Sequence, residues 1–146
     1  MTFDVRDMRR RGEQIIAWLN ARDFAAIEAS GFFGAAAQFR SAIAVSEGEV
    51  YSGVDGLRQW ARNVDETWDD FHIEVLDVQP SGPNRAVAVF RVTARARASE
   101  VPLDIRVGQV WTWSDDGVWI ANDSFTDPAE AFEAAGLPYP PSTRAT

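Results

Sequence analysis

The sequence contains no cysteine, which excludes disulfide bonds, thiolate nucleophiles and cysteine-ligated metals. It contains no lysine either, since all 14 basic residues are arginine, and this excludes Schiff-base chemistry on a side-chain amine. His72 is the single histidine, which is too few for a histidine-rich metal site. We therefore expect a protein that uses neither a metal nor another cofactor.

Positive charge is scarce, and long apolar runs are missing. The net charge of −8 argues against a nucleic-acid partner, because neutralising phosphates needs a basic face. The basic run at residues 6–11 is interpreted as a solvated helix start, with a binding patch as the alternative. No apolar run reaches the length of a membrane span, and the first ten residues lack the apolar core of a signal peptide. We predict a cytoplasmic protein with no membrane partner.

Aromatic residues, in contrast, are plentiful in this chain of 146 residues. Six tryptophans and nine phenylalanines predict aromatic walls around a core or a cavity. The length is that of one domain, which buries roughly 70% of its unfolded surface on folding. We place this domain at residues 1–137 and predict that residues 138–146 form a loosely ordered tail.

The first half of the chain has helical spacing. Residues 13–21 form an apolar helical pattern. We predict that Asp23 is the N-cap of a short helix over residues 24–29, which glycines 31 and 34 end. Residues 54–68 give the clearest helix, because five apolar side chains fall on one stripe. That stripe consists of Leu57, Trp60, Ala61, Val64 and Trp68. Residues 37–45 resemble a strand, and residues 46–53 resemble a turn with a short strand.

From Phe71 onward the apolar pattern changes to a period of two. It predicts four successive antiparallel strands, because links of a few residues cannot make a parallel crossover. The predicted strands are 71–79, 85–98, 103–113 and 118–126. Helices followed by a strongly twisted meander make an α+β domain, in which a cone-shaped sheet leaves an interior cavity.

The end of the chain, ANDSFTDPAEAFEAAGL, has polar residues at the point where a strand passes into a helix. Asp127 followed by Pro128 and Glu130 forms an acidic capping box with proline at the first helical position. Gly136 then ends the helix. This capping role explains Asp127, with a catalytic role as the alternative.

Three segments carry a resemblance to a known family: ARDFAAIEA, VYSGVDGLRQW and DDGVWIANDSFTDPAEAFEAAGL. Over roughly residues 5–137 the chain resembles the nuclear-transport-factor-2-like superfamily, in particular its SnoaL-like polyketide-cyclase and ketosteroid-isomerase branch. The resemblance implies a cone-shaped α+β fold, a pocket between sheet and helices, and a homodimer formed through the outer face of the sheet. Members include isomerases, cyclases and epoxide hydrolases, so the fold alone does not assign an activity.

The resemblance also assigns roles to particular positions. It places the isomerase base at Ser41 and the oxyanion-hole tyrosine at Ile15. The acid that assists this tyrosine falls on Gln109, and the catalytic aspartate of the cyclases and epoxide hydrolases falls on Ser124. None of the expected carboxylates is present, although Gln109 can still donate a hydrogen bond. A shift of one residue would bring Asp123 into the catalytic position, but the length of the WSDDG turn supports the unshifted register.

Strand alternation divides the side chains of the last two strands between the faces of the sheet. The resemblance assigns one set to the pocket and the other to the outer, dimer-forming face. The pocket set is Ile120, Asn122, Ser124, Thr126, Ile105, Val107, Gln109 and Trp111. The outer set is Trp119, Ala121, Asp123, Phe125, Asp104 and Arg106. We expect Asp123 to pair with Arg106 across the strands.

A few other side chains remain open to two interpretations. His72 is a solvent-facing strand residue or a proton shuttle at the pocket mouth. Trp60 packs in the core or lines the cavity, and Tyr51 is placed to donate its hydroxyl to a ligand. The arginine-rich face of the second meander strand is a solvated surface or an anion-binding ridge. It consists of Arg91, Thr93, Arg95 and Arg97.

The residues and the family resemblance together leave three alternative functions. The first is a homodimeric protein that binds a small hydrophobic molecule in its pocket. The second is an isomerase, cyclase or hydratase acting on a polyketide- or steroid-like substrate, with Asp123 and His72 as catalytic residues. The third is a dimerisation module whose interior is filled. The predicted ligand-binding residues are Tyr51, Trp60, Gln109, Trp111, Asn122, Ser124, Ser41, Ile15 and Trp18.

Overall fold

Four helices and six strands make up the part of the chain described by the structure, a computed structural model that covers residues 3–41 and 50–139. The predicted strand beyond Ser41, most of the predicted turn before Val50, and tail residues 140–146 lie outside that range. The elements are α1 Val5–Asn20, α2 Phe24–Ser30, β1 Phe33–Arg40, β2 Val50–Ser52, α3 Gly53–Thr67, β3 Trp68–Pro80, β4 Arg85–Ala96, β5 Pro102–Trp113, β6 Trp119–Phe125 and α4 Pro128–Ala134.

The six strands form one curled, unclosed sheet in the order β2-β1-β6-β5-β4-β3. The predicted meander of β3 to β6 is confirmed, because each strand pairs antiparallel with the next. The sheet is mixed, since β1 runs parallel to β6 while β2 pairs antiparallel with β1. Together with the helices on its inner face, this sheet confirms the predicted α+β cone fold.

The helices begin and end where local chemistry directs them. Asp23 accepts a hydrogen bond from the backbone N–H of Ala26, which confirms it as the N-cap of α2. The predicted stripe of α3 is buried as far as Val64. Helix α1 begins at Val5, earlier than predicted, because Asp4 caps it. Gly31, with φ of 71°, ends α2, whereas Gly34 lies within β1 and breaks nothing.

Helix α4 packs against the outer face of the sheet. Asp127 accepts a hydrogen bond from the backbone N–H of Ala129, with Pro128 in the first turn, so the predicted cap is confirmed. At the other end Gly136 has φ of 76°, and the Leu137 N–H donates to the Phe132 carbonyl at 2.8 Å, a Schellman-type ending. Phe132 is 1% exposed, so α4 covers this part of the outer face.

A β-bulge in β6 changes the predicted division of faces. Trp113 pairs with Trp119, but Thr112 pairs with Ala121, so Ile120 is an extra residue on β6. The prediction that Ile120 points inward and Trp119 outward is therefore wrong: Ile120 is 42% exposed and Trp119 is 3% exposed. Beyond the bulge the predicted alternation holds for Asn122, Asp123 and Ser124. Thr126, which follows the end of β6, is exposed rather than inward.

The predicted pair of Asp123 with Arg106 is also wrong. Asp123 lies opposite Val110, and its ion-pair partner is Arg40 on β1, at 3.7 Å. Arg106 lies opposite Arg91 instead. Antiparallel register therefore places the two residues too far along the strands to meet.

Ion pairs join β3, β4 and β5 on the outer face of the sheet. Arg91 makes two hydrogen bonds to the carboxylate of Asp104, of 3.0 and 2.8 Å. Two further arginines of this face pair with aspartates of β3, which favours the solvated-surface interpretation over an anion-binding ridge. These pairs are Arg95–Asp70 and Arg97–Asp69.

In the described residues, no helix is both long enough and apolar enough to cross a membrane.

Candidate functional site

A cavity of about 50 Å³ lies between the inner face of the sheet and helices α1 and α3. Since about 10–15 Å³ of such space holds one water molecule, the cavity suits a group of only a few heavy atoms. Most of the wall is apolar. The lining consists of Ile15, Ile16, Leu19, Phe33, Phe39, Arg40, Ser41, Leu57, Trp60, Ile73, Phe90, Gln109, Trp119, Asn122 and Ser124.

The apolar wall follows from the periodicity of the elements around it. Ile15, Ile16 and Leu19 form one stripe of α1, and Leu57 and Trp60 lie one turn apart on α3. All five are 5% exposed or less, and both stripes face the sheet. The cavity is thus the space that these two stripes and the curled sheet do not fill.

A chain of hydrogen bonds connects the core to the cavity along the sheet. The indole Nε1–H of Trp111 donates to Gln109 Oε1 at 2.9 Å. Gln109 Nε2 then donates to Ser124 Oγ, also at 2.9 Å. Gln109 and Ser124 lie directly opposite each other on β5 and β6, which places their side chains on the same face. These bonds fix the orientation of both polar side chains in the wall.

Two more polar groups lie in the same wall. Trp60 Nε1–H donates to Ser41 Oγ at 2.8 Å, which joins α3 to the end of β1. Asn122 Oδ1 is buried and accepts no hydrogen bond from the residues that the structure describes. A buried acceptor without a donor is costly, so Asn122 requires a partner.

Ionisable groups are nearly absent from this lining. Arg40 is the one charged residue among the described lining residues, and it also pairs with Asp123 on the outer side. Both of these side chains are more than half exposed, so they lie at the rim rather than inside. Neither an aspartate nor a glutamate nor a histidine lines the cavity within residues 3–41 and 50–139. Nor do these residues contain a cluster suited to a metal ion.

The structure gathers six of the nine predicted ligand-binding residues around the cavity. They are Ile15, Ser41, Trp60, Gln109, Asn122 and Ser124. Their binding role remains a prediction, but their positions agree with it. The other three, Tyr51, Trp111 and Trp18, do not line this cavity.

Each of these three has a packing role instead. Trp111 is 0% exposed and is enclosed by the backbone of Gly12 and by Trp119, so it reaches the cavity only through Gln109. Tyr51 stacks on Phe39, and its hydroxyl accepts a hydrogen bond from Asn63 at 3.1 Å. Trp18 stacks on Phe32 at the side of the core.

The two predicted catalytic residues lie outside the cavity. Asp123 has a side chain that is 63% exposed and points to the outer face of the sheet. His72 is exposed on β3, opposite Thr93. Neither side chain is among those around the cavity, so their positions do not support a catalytic role there.

Nine of the fifteen lining residues were not among the predicted ligand-binding residues, and two of them show why. Phe39 was identifiable, because it lies two residues before Ser41 on the same strand face. Trp119 was not, because only the bulge at Ile120 turns it inward.

A second, wider hollow of about 280 Å³ lies on the outer face of the sheet, beside the strands that α4 leaves uncovered. Its floor contains the small side chains of Thr112 and Ala121. The floor is flanked on one side by Arg85 and on the other by the Arg40–Asp123 pair. This hollow is polar, unlike the inner cavity.

The model of the SnoaL-like domain family matches residues 12–122, and the chain belongs to this family. No curated protein matches the sequence.

Solved structures show the same fold at low identity. An NTF2-like protein from Burkholderia thailandensis is 21% identical, with 90% of this chain and 98% of that chain covered and a TM-score of 0.65. SalBIII, an epoxide hydrolase/cyclase-like enzyme of pyran ring formation in salinomycin, is 16% identical, with 85% and 93% covered and a TM-score of 0.66. A hypothetical protein with a ketosteroid isomerase-like fold from Catenulispora acidiphila, in complex with trimethylamine, is 13% identical, with 84% and 89% covered and a TM-score of 0.62.

Proposed function

We propose that this protein binds a small, largely apolar molecule in the inner cavity without converting it. One observation carries the proposal: the described lining is apolar apart from un-ionised serine and amide groups and one arginine at the rim. Such walls favour a neutral molecule that is mostly hydrocarbon, because burying an unpaired charge against them is costly.

The residues at the positions that resemble the family's catalytic positions support binding rather than catalysis. Enolisation and aldol-type cyclisation need a base to remove a proton from carbon, together with donors for the developing oxyanion. The cavity has donors, but the positions that resemble the family's bases hold Ser41 and Ser124. A serine hydroxyl is a poor base without a histidine or carboxylate beside it. His72 lies outside the cavity lining.

The volume of the cavity limits the size of the bound group. About 50 Å³ suits a few heavy atoms, and the Catenulispora relative is in complex with trimethylamine, which has four. We infer that this chain accepts either a molecule of similar size or the narrow end of a longer one.

A thermal-shift experiment with a matched pair of variants tests the proposal. The probes are propan-2-ol, tert-butanol, cyclopentanone and phenol. Leu57→Phe places a larger ring at the cavity wall, whereas Leu76→Phe makes the same change in the separate cluster under α4. At ten times its Kd a probe stabilises the folded state by about 1.4 kcal/mol, or about 4 °C in Tm for a chain of this length. We expect this shift in the wild type and in Leu76→Phe but not in Leu57→Phe.

Three outcomes would contradict this function. A shift that survives in Leu57→Phe would place the binding site elsewhere. Chemical analysis of the probe recovered after incubation addresses catalysis, because a converted molecule would establish the isomerase, cyclase or hydratase alternative. A wild type that no probe stabilises would favour the dimerisation module with a filled interior.

We further propose that the protein is a homodimer through the outer face of the sheet. The floor of small side chains allows close approach of a second copy. Arg40 and Asp123 lie side by side there, so a two-fold axis through the hollow would bring each against its opposite charge on the other copy. The cytoplasm is the proposed location. No nucleic-acid partner is proposed, in keeping with the net charge of −8.

A charge-swap series tests the dimer. We expect a native mass of twice 16.2 kDa for the wild type. Arg40→Asp and Asp123→Arg should each weaken the dimer, and the double variant should restore it, because only the double variant returns opposite charges to the interface. A wild-type monomer in dilute solution would contradict the interface.

A further inference from the structure

The hydrogen-bond chain that ends in the cavity has a fixed direction. An indole Nε1–H is only a donor, so the atom of Gln109 that faces Trp111 must be the amide oxygen. This assigns the amide orientation of Gln109, which leaves its NH₂ group to donate to Ser124 Oγ. The buried Trp111 thereby sets the donor-to-acceptor direction of both hydrogen bonds.

The direction of these hydrogen bonds determines whether Ser124 offers a donor or an acceptor to the cavity. Its oxygen already accepts from Gln109, so the hydroxyl hydrogen turns to another acceptor. Among the described residues none accepts it, and Ser124 lines the cavity. Ser124 therefore presents a hydrogen-bond donor to whatever occupies that space.

Asn122 offers the complementary group. Its Oδ1 is buried without a donor from the described part of the chain. It lies two residues before Ser124 on the same face of β6, at about 6.6 Å along the strand. A single atom group located between the two side chains is within reach of both.

We propose that Ser124 and Asn122 together recognise a neutral hydroxyl group on the bound molecule, an inference that rests on the proposed binding function. The hydroxyl oxygen accepts from Ser124, and its hydrogen donates to Asn122 Oδ1. A ketone satisfies Ser124 only. A carboxylate places a second acceptor against Asn122 Oδ1, and an ammonium group has no lone pair for Ser124.

Four probes of equal size separate these possibilities: propan-2-ol, acetone, acetate and trimethylammonium. Each has four heavy atoms in a branched arrangement. Binding is followed by NMR through the indole N–H resonances of Trp60 and Trp111, which bond to groups of the cavity wall. Trp18 lies outside the cavity and serves as the internal control for general solvent effects. We expect propan-2-ol to bind about five-fold more tightly than acetone, the effect of one hydrogen bond.

Substitutions of Ser124 and Asn122 test the two proposed hydrogen bonds to the ligand separately. Ser124→Ala should weaken propan-2-ol and acetone alike by about five-fold. Ser124→Thr keeps the hydroxyl and should restore both. Asn122→Leu should remove the preference for propan-2-ol over acetone while raising Tm, because it replaces a side chain whose buried oxygen has no described partner with an apolar one of similar size. A purely structural Asn122 would instead lower Tm and leave the preference unchanged.

The outcomes that overturn this assignment differ from those that overturn the binding function. Tighter binding of acetone or acetate than of propan-2-ol would mean that Asn122 or Arg40 offers a donor to the bound molecule. Tighter binding of trimethylammonium would mean that the aromatic wall selects a cation. In each case the cavity still binds and only the hydroxyl assignment fails. Resonances of Trp60 and Trp111 that shift no more than that of Trp18 with any probe would remove the binding function itself.

Discussion

The two faces of the sheet use polar residues in opposite ways. On the inner face the polar side chains are serines and amides, and two of them are held in one directed chain that begins at a buried indole. On the outer face beyond α4 they are ionised arginines and aspartates, joined in exposed pairs. In residues 3–41 and 50–139, these paired charges lie where water solvates them, and the cavity lining carries one charged residue, Arg40 at the rim.

Strand alternation produces this separation within three consecutive residues. Asn122 and Ser124 face the cavity, while Asp123 between them faces the outer side and pairs with Arg40. A slip of one residue in β6 would exchange an amide and a hydroxyl for a carboxylate inside the cavity. The bulge at Ile120 is thus important, because it sets the alternation for the rest of the strand.

The largest expected effect lies on the inner face, at Trp111. Trp111→Ala should lower the free energy of unfolding by about 3–5 kcal/mol, because it empties a fully buried site and removes the donor to Gln109. Chemical denaturation measures the loss. Trp18→Ala is the matched control, and we expect about half the loss there, since Trp18 is only half-buried. Equal losses in the two variants would mean that Trp111 does not anchor the inner face.

The next effect tests the outer face at Gly108. A Cβ at this position would lie 2.7 Å from the Cβ of Ala131 and 2.9 Å from the Cα of Pro128, so α4 must move away. Gly108→Val should cost about 1–3 kcal/mol and speed hydrogen exchange in α4.

Thr112→Val is the control for Gly108→Val. Thr112 lies on the same face of β5 as Gly108, but outside the area that α4 covers. The substitution should change stability by less than about 0.5 kcal/mol. The Trp60 indole resonance should stay unchanged in both variants, since the cavity lies on the other face. A shifted Trp60 resonance in Gly108→Val would show that the two faces are not independent.

The fold was predictable because its signals are local. The caps at Asp23 and Asp127, the stripe of α3 as far as Val64 and the period-two meander all depend on neighbours in sequence, and all are confirmed. The cavity was predictable only in part. Alternation brought Gln109, Asn122 and Ser124 together, but the inward turn of Trp119 and the enclosure of Trp111 depend on a bulge and on contact with α1. No pattern within one strand reveals those long-range features.

A smaller effect comes from Asn20, which joins α1 to the edge strand β3. Its side-chain amide donates to the Ile73 carbonyl at 2.9 Å and accepts from the Ile73 N–H at 3.0 Å, as a neighbouring strand would. Asn20→Ala should lower the free energy of unfolding by about 1–2 kcal/mol, because both backbone groups lose a partner. Asn63→Ala removes a donor to Tyr51 and an acceptor for Gln59, both of them side-chain partners, and should cost less in the same denaturation experiment. The reverse order would contradict this role of Asn20.

The smallest effect is expected at the outer pair of Arg91 and Asp104, which also makes two hydrogen bonds but lies in water. The hydrogen bonds from Arg91 hold the pKa of Asp104 below its usual value. A carboxyl group with a lowered folded-state pKa contributes stability above its unfolded pKa and loses that contribution as the pH falls through the folded one. The Tm difference between wild type and Asp104→Asn should therefore be small and constant near neutral pH. It should shrink below about pH 4 and also in high salt. A difference that exceeds that of Asn20→Ala, or that grows as the pH falls, would mean that the exposed pair contributes more than solvent screening allows.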